Sequence, residues 1–171
     1  MRWNEIDWDN KIWTIPASRA KNEQEHCLPL SGIALELLQE AKKHTGDSSY
    51  VFPSTSDLPM RRAPIGRAVK RHHREWNLDR FTPHDLRRTA RTKLAEIGVS
   101  DIVAERVLNH KQQGVQAIYN RHRYLEEMRE ALELWGKALL KIVNEEDCDG
   151  DKWRQILREL KSGGSMMPIS Q

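Results

Sequence analysis

His84 and Arg87 stand three residues apart in His84-Asp85-Leu86-Arg87-Arg88-Thr89, a spacing that puts both side chains on one face of a helix. Leu108-Asn109-His110 follows, and Tyr119 comes nine residues after that histidine. Each residue type suits a polyanionic reaction centre. A guanidinium offers fixed, bidentate donors to phosphate oxygens, and an imidazole accepts or donates a proton near neutral pH. A phenol, with a free pKa of about 10, becomes a nucleophile only when its surroundings activate it. Each residue also has an ordinary reading. Tyr119 could be an amphipathic helix residue with its hydroxyl at the surface. His84 could be a helix-end residue, and Arg87 a solvated charge beside Arg88 and Arg91. Tyr124 is a rival nucleophile, although Leu125 after it suits a packing face and the histidine spacing favours Tyr119. His72-His73 lacks a carboxylate or cysteine at ligand spacing and reads as solvated or facing a polyanion rather than metal-bound. No metal or cofactor is expected, and His122 is unassigned.

These residues need elements to hold them. Thr82-Pro83-His84-Asp85 is a helix start, with threonine as cap, proline at the first helical position and Asp85 at the positive end. Leu86, Ala90, Leu94 and Ile97 then recur at helical spacing up to Gly98. Ser100 caps a short helix with Ile102, Val103 and Val107 inward, and a break at Gly114 precedes the Tyr119 segment. Upstream, Glu5–Trp8, Ile12–Ile15 and His26–Leu30 read as a three-stranded antiparallel meander, with Asp9-Asn10 as its first turn. Lys21 falls on the connection between the second and third strands. Ser31 suits an N-cap for a helix over 33–43, Tyr50-Val51-Phe52-Pro53 a short buried segment, and Ser54 to Arg62 a loop. Pro64 opens a helix as its first residue, running to about Trp76. The longest amphipathic stretch follows Tyr119, with Leu125, Met128, Leu132, Trp135, Leu139 and Ile142 on one side. A last helix is expected over Lys152–Leu160, before a frayed Gly-rich tail.

A chain of 171 residues fits one domain. No run approaches the roughly 18 apolar residues of a membrane span, and the N-terminus lacks a signal-peptide core. Cys27 and Cys148, far apart and in no CxxC pair, read as reduced thiols in a cytoplasmic protein. The net charge of +3 is unevenly spread: from Arg61 to Lys93 eleven Lys and Arg stand against three acids, whereas 144–171 has a balance of −2. A basic middle beside a neutral-to-acidic tail suggests a face for a polyanion, against the plainer reading of solvated helix faces.

The ordered set His84-x-x-Arg87, His110 and Tyr119 resembles the signature of tyrosine recombinases. Trp3-Asn4-Glu5-Ile6-Asp7, Ile15-Pro16-Ala17, Lys21-Asn22, His26 and Pro29-Leu30-Ser31 likewise resemble the small sheet of integrases from prophages and genomic islands. An isolated HxxR is common; five elements in order, at spacing, are specific. The resemblance covers about residues 1–143 and implies an α+β fold, a predominantly helical catalytic domain with a small three-stranded antiparallel sheet near the N-terminus. Residues 144–171 are then a C-terminal helix and flexible tail. It further implies Tyr119 as nucleophile, Arg87 as second catalytic arginine and His84 as proton acceptor or phosphate ligand. His110 would hydrogen-bond a non-bridging oxygen, and Lys21 would be the general acid. The implied partner is double-stranded DNA, with tetrameric self-assembly in a full-length parent, no membrane, and a cytoplasmic, nucleoid-associated location. The apolar residues Trp153, Ile156, Leu157 and Leu160 suggest that the tail docks on a neighbouring protomer. The family's other catalytic arginine precedes the first strand, where this chain begins. The expectation is an N-terminally truncated domain, weak or inactive alone. The alternatives are a non-catalytic DNA-binding or interaction fragment, and a type IB topoisomerase-like enzyme; the early sheet motif favours the integrase.

Overall fold

The computed structural model describes residues 1–20, 23–54, 57–60, 62–76, 78–110, 124–144 and 150–161. Its first element follows from local turn chemistry. The Asp7 carboxylate accepts from the Asn10 backbone N–H at 2.9 Å and from its side-chain amide at 2.7 Å, an Asx-type clasp that reverses the chain. Strands β1 (Ile6–Asp7) and β2 (Ile12–Ile15) therefore pair antiparallel, with Ile6 opposite Trp13. Strand β3 (His26–Pro29) pairs antiparallel with β2, Thr14 opposite Cys27, in the order β1-β2-β3. This is the expected meander.

Helix α1 (Gly32–Thr45) packs its Leu38 with Ile6, Leu30 and Val51 into one core cluster, flanked by Trp3, Trp8 and Trp13. Ser31 occupies the N-cap position, but its hydroxyl makes no cap hydrogen bond. The Gly32 N–H instead donates to the Glu133 carboxylate at 3.0 Å, from the far side of the chain. Of the short segment expected to be buried, Val51 is enclosed whereas Phe52 is exposed. Helix α2 (Arg62–His72) places Pro64 at its third residue and stops short of Trp76. Proline lacks a useful N–H anywhere in a first turn, so the two extra residues cost no hydrogen bond.

Helix α3 (Pro83–Glu96), helix α4 (Asp101–Val107), helix α5 (Leu125–Val143) and helix α6 (Gly150–Lys161) build the second core. It contains Leu94, Ile97, Val103, Ala104, Met128, Ala131, Ala138, Trp153 and Ile156. Gly98 adopts φ +95°, a left-handed turn that ends α3 as expected. The Ser100 hydroxyl accepts from Val103 N–H at 3.4 Å, as its capping role requires. One inward assignment fails: Ile102 is exposed, because the turn of α4 and its C-cap send Val103, Ala104 and Leu108 inward. Of the apolar positions at helical spacing on α3, Leu86 is exposed and Leu94 buried, because that helix buries its C-terminal end. Trp153 and Ile156 are buried against the chain's own helices, so the residues that suggested docking on a neighbour already have a site here. Helix α5 belongs to this second core and also packs against β3 and α1. Its Gly136 lies against Ile33 and Ser31, where a Cβ would come within 3.0 Å of Ile33 Cγ2. Among the described residues no helix is long and apolar enough to cross a membrane.

Candidate active site

The first turn of α3 carries His84, exposed, and Arg87, half-buried one turn later. The Thr82 backbone N–H and hydroxyl donate to Asp85 Oδ2 at 2.9 and 2.8 Å. The hydroxyl bond, foremost, holds the Asp85 carboxyl below its usual range, so a negative charge stays at the positive helix end. That closure sets the register in which His84 and Arg87 leave the same face. Among the described residues neither side chain makes a hydrogen bond or ion pair, so their donors remain available to a ligand.

His110 is presented differently. After α4 the backbone of Asn109 turns left-handed, φ 50°, a conformation asparagine tolerates better than most residues. The His110 N–H then returns to the Glu105 carbonyl at 3.0 Å. The His110 ring meets the Glu105 carboxylate through Nδ1. Glu105 Oε1 accepts from Arg91 Nε at 2.8 Å, and the other arm of Arg91 reaches Asp101 at 2.7 Å. Arg91 lies one turn beyond Arg87 on α3. The Arg91 hydrogen bond, followed by that of His110, holds the Glu105 carboxyl below its usual range. His110 is thus tied to the helix that carries His84 and Arg87. By residue type alone Arg91 is one more positive charge in the basic stretch, and Glu105 belongs to no motif. Their signal was present in the spacing, Arg87 to Arg91 at four residues and Glu105 to His110 at five, but a pair separated by fourteen residues is visible only in three dimensions.

Tyr119, Lys21 and His122 lie outside the described residues. The rival Tyr124 stands at the start of α5, packed on the helical core, with the Arg106 guanidinium 4.3 Å from its ring centre. His26, on the strand after the Lys21 connection, has an enclosed Nε2 without a hydrogen-bond partner among the described residues. Burial, then the positive charge of Arg106, pushes its pKa below the usual value, which favours the neutral ring. Part of the basic stretch is displayed on the surface: Arg67, Lys70 and Arg71 form a stripe on α2, and Arg74 and Arg80 follow it, all exposed.

Residues 1–126 match the family model of the Phage integrase family. The chain belongs to the phage integrase family. This tyrosine recombinase domain is 36% identical over 137 residues to the prophage integrase IntA of Escherichia coli (strain K12), a match that covers 78% of the chain and 32% of that protein. It is 32% identical over 155 residues to the integrase of Enterobacteria phage P4, covering 81% and 35%. A match to the integrase of Shigella phage Sf6 is 30% identical over 143 residues, covering 81% and 36%. The chain spans about a third of the length of the curated relatives it matches. No solved structure matches it.

Proposed function

We propose that this integrase domain cuts and rejoins DNA at specific sites through a 3′-phosphotyrosine intermediate, serving integration or excision of a mobile element. The observation that carries the reading is the pairing of His84 and Arg87 on one face of α3, with His110 tied to the same helix through Glu105 and Arg91. In the proposed step the Tyr119 oxygen attacks the scissile phosphorus. The new P–O bond forms as the bond to the 5′-oxygen breaks. His84 takes the phenolic proton, and Lys21 supplies one to the departing 5′-oxygen. Arg87 and His110 donate to the non-bridging oxygens, where the pentavalent phosphorane gathers charge. Attack by a 5′-hydroxyl on the phosphotyrosine then reverses these bonds and rejoins the strand. The exposed cations of α2 support a DNA backbone contact. Tetrameric assembly on DNA belongs to the same proposal.

The family's further arginine precedes the first strand, and these 171 residues offer no match for it. Loss of one such donor typically slows a reaction by about 10²–10³, so we assign full activity to a chain that carries it. The test is a nicked suicide substrate bearing the cognate attachment site, incubated with this chain and with one extended through that arginine. A covalent protein–DNA adduct is expected to be robust for the extended chain, weak or absent for this one, and abolished by Tyr119→Phe. An adduct that survives Tyr119→Phe rejects the nucleophile; DNA binding without any adduct from either chain would instead make the domain a non-catalytic binding module.

A further inference from the structure

Glu105 bridges His110, a residue of the proposed chemistry, to Arg91 on the helix that carries Arg87. Its Oε2 meets His110 Nδ1, and its Oε1 accepts from Arg91 Nε at 2.8 Å. The His110 and Glu105 side chains are both part-exposed, about 44% and 35%. Arg91 is fixed on its other side by Asp101, so the guanidinium spans two carboxylates of α4 from its place on α3. The chain Arg91–Glu105–His110 therefore runs from the helix of Arg87 to the histidine beyond α4.

We propose that Glu105 is the positioning residue for His110, holding the ring so that Nδ1 is always a donor and Nε2 is the atom presented to the scissile phosphate. This rests on the recombinase reading above for the role of His110, although the ring state it describes is independent of that reading. An ionised carboxylate has acceptors only, so the ring nitrogen facing it must carry a proton. In the neutral ring the proton then sits on Nδ1, leaving Nε2 as an acceptor. In the protonated ring both nitrogens donate, and the ring holds Glu105 with one and a phosphate oxygen with the other. Either way Nδ1 is committed and the ring cannot rotate to exchange its nitrogens. Arg91 does two things in this arrangement. Its hydrogen bond keeps Glu105 ionised, and its attachment to α3 registers the carboxylate against Arg87 four residues earlier. Such a partner to a working histidine fixes tautomer and orientation together.

The experiment reads the ring itself. Nitrogen-15 correlation spectra of the imidazoles are recorded on this chain at a pH where His110 is neutral, for the parent, Glu105→Gln and Glu105→Ala. The parent is expected to show His110 in the Nδ1–H form. Glu105→Gln keeps an acceptor oxygen and should retain that form, whereas Glu105→Ala should move the ring toward the Nε2–H form that free imidazoles prefer. A parent ring already in the Nε2–H form, or a spectrum unchanged by Glu105→Ala, overturns the proposal. Should Glu105→Ala fail to fold, Glu105→Met is the second variant. It keeps a helix-forming side chain of similar length but offers no carboxylate, and a His110 ring still in the parent's Nδ1–H form would equally overturn the proposal. In the extended chain, Glu105→Ala is expected to slow adduct formation about 10- to 100-fold, the range seen when outer partners of histidines are removed from metal sites, with DNA affinity unchanged. A parallel loss of affinity and rate would indicate a general structural role and reject the assignment. Absence of any Tyr119 adduct in the parent would refute the recombinase reading alone, because the tautomer result stands apart from it.

Discussion

Replacing Trp153 with alanine removes the side chain that anchors α6 to the rest of the domain. Its indole is 8% exposed, lies under the Lys93 ammonium at 4.3 Å from the ring centre, and donates its N–H to the Glu96 carboxylate. Truncating a buried tryptophan costs about 3–5 kcal/mol. Within that total the cation–π contact contributes about 0.5–1 kcal/mol and the hydrogen bond about 1 kcal/mol. Glu96 keeps 35% of its side chain in solvent, so water can replace the indole and no stranded charge adds to the loss. Trp153→Phe keeps most of the ring contact and should therefore cost only about 1–2 kcal/mol. The assay is urea unfolding followed by far-ultraviolet circular dichroism, which avoids the altered fluorescence. With a slope of about 2 kcal/mol per molar urea, the alanine variant's midpoint should fall by about 2 M. Because the anchor is intramolecular, the parent midpoint should be independent of protein concentration. An alanine variant within about 0.5 kcal/mol of the parent, or a midpoint that rises with concentration, would show that α6 is not held by its own chain.

Three further outcomes are expected. Gly136→Ala puts a Cβ 3.0 Å from Ile33 Cγ2 and 3.5 Å from Ser31 Cβ, so it should cost about 1–3 kcal/mol in the same unfolding assay; a neutral result would mean that α1 shifts freely on α5. His26, half-buried with its Nε2 enclosed, titrates below the usual histidine value of about 6.5. Above 6.5 both states are neutral and its penalty is absent; as pH falls through 6.5 the unfolded state takes up the proton first, so stability declines. Urea midpoints from pH 8 to 5.5 should therefore fall for the parent, and His26→Leu should flatten that part of the profile; equal slopes would remove His26 as the cause. Finally, Lys70→Glu with Arg71→Glu, both exposed on α2, should weaken DNA binding and lower the slope of log affinity against log salt by about one to two units. An unchanged slope in fluorescence anisotropy titrations would take this stripe off the DNA.

Where the chain's own neighbours decide, the sequence was readable. Thr82-Pro83-His84-Asp85 starts α3 where expected because capping and a first-turn proline act within four residues. His84 and Arg87 share a face because the helical period alone sets it. Asp7 and Asn10 turn the first hairpin, and alternation carries the meander. Burial was less readable. Leu86, Ile102 and Phe52 look apolar enough for a core, yet all three are exposed, because a short segment does not reveal which way its helix or loop is rotated. Only the tertiary structure decided that the Gly32 N–H would find Glu133, 101 residues away, while the Ser31 hydroxyl made no cap bond. It alone joined Arg91 to Glu105 and so His110 to α3, and placed Trp153 over the chain's own core. The residues for the chemistry can be named from type and spacing. Which partners hold them depends on contacts between distant segments, for which a linear pattern carries no distance.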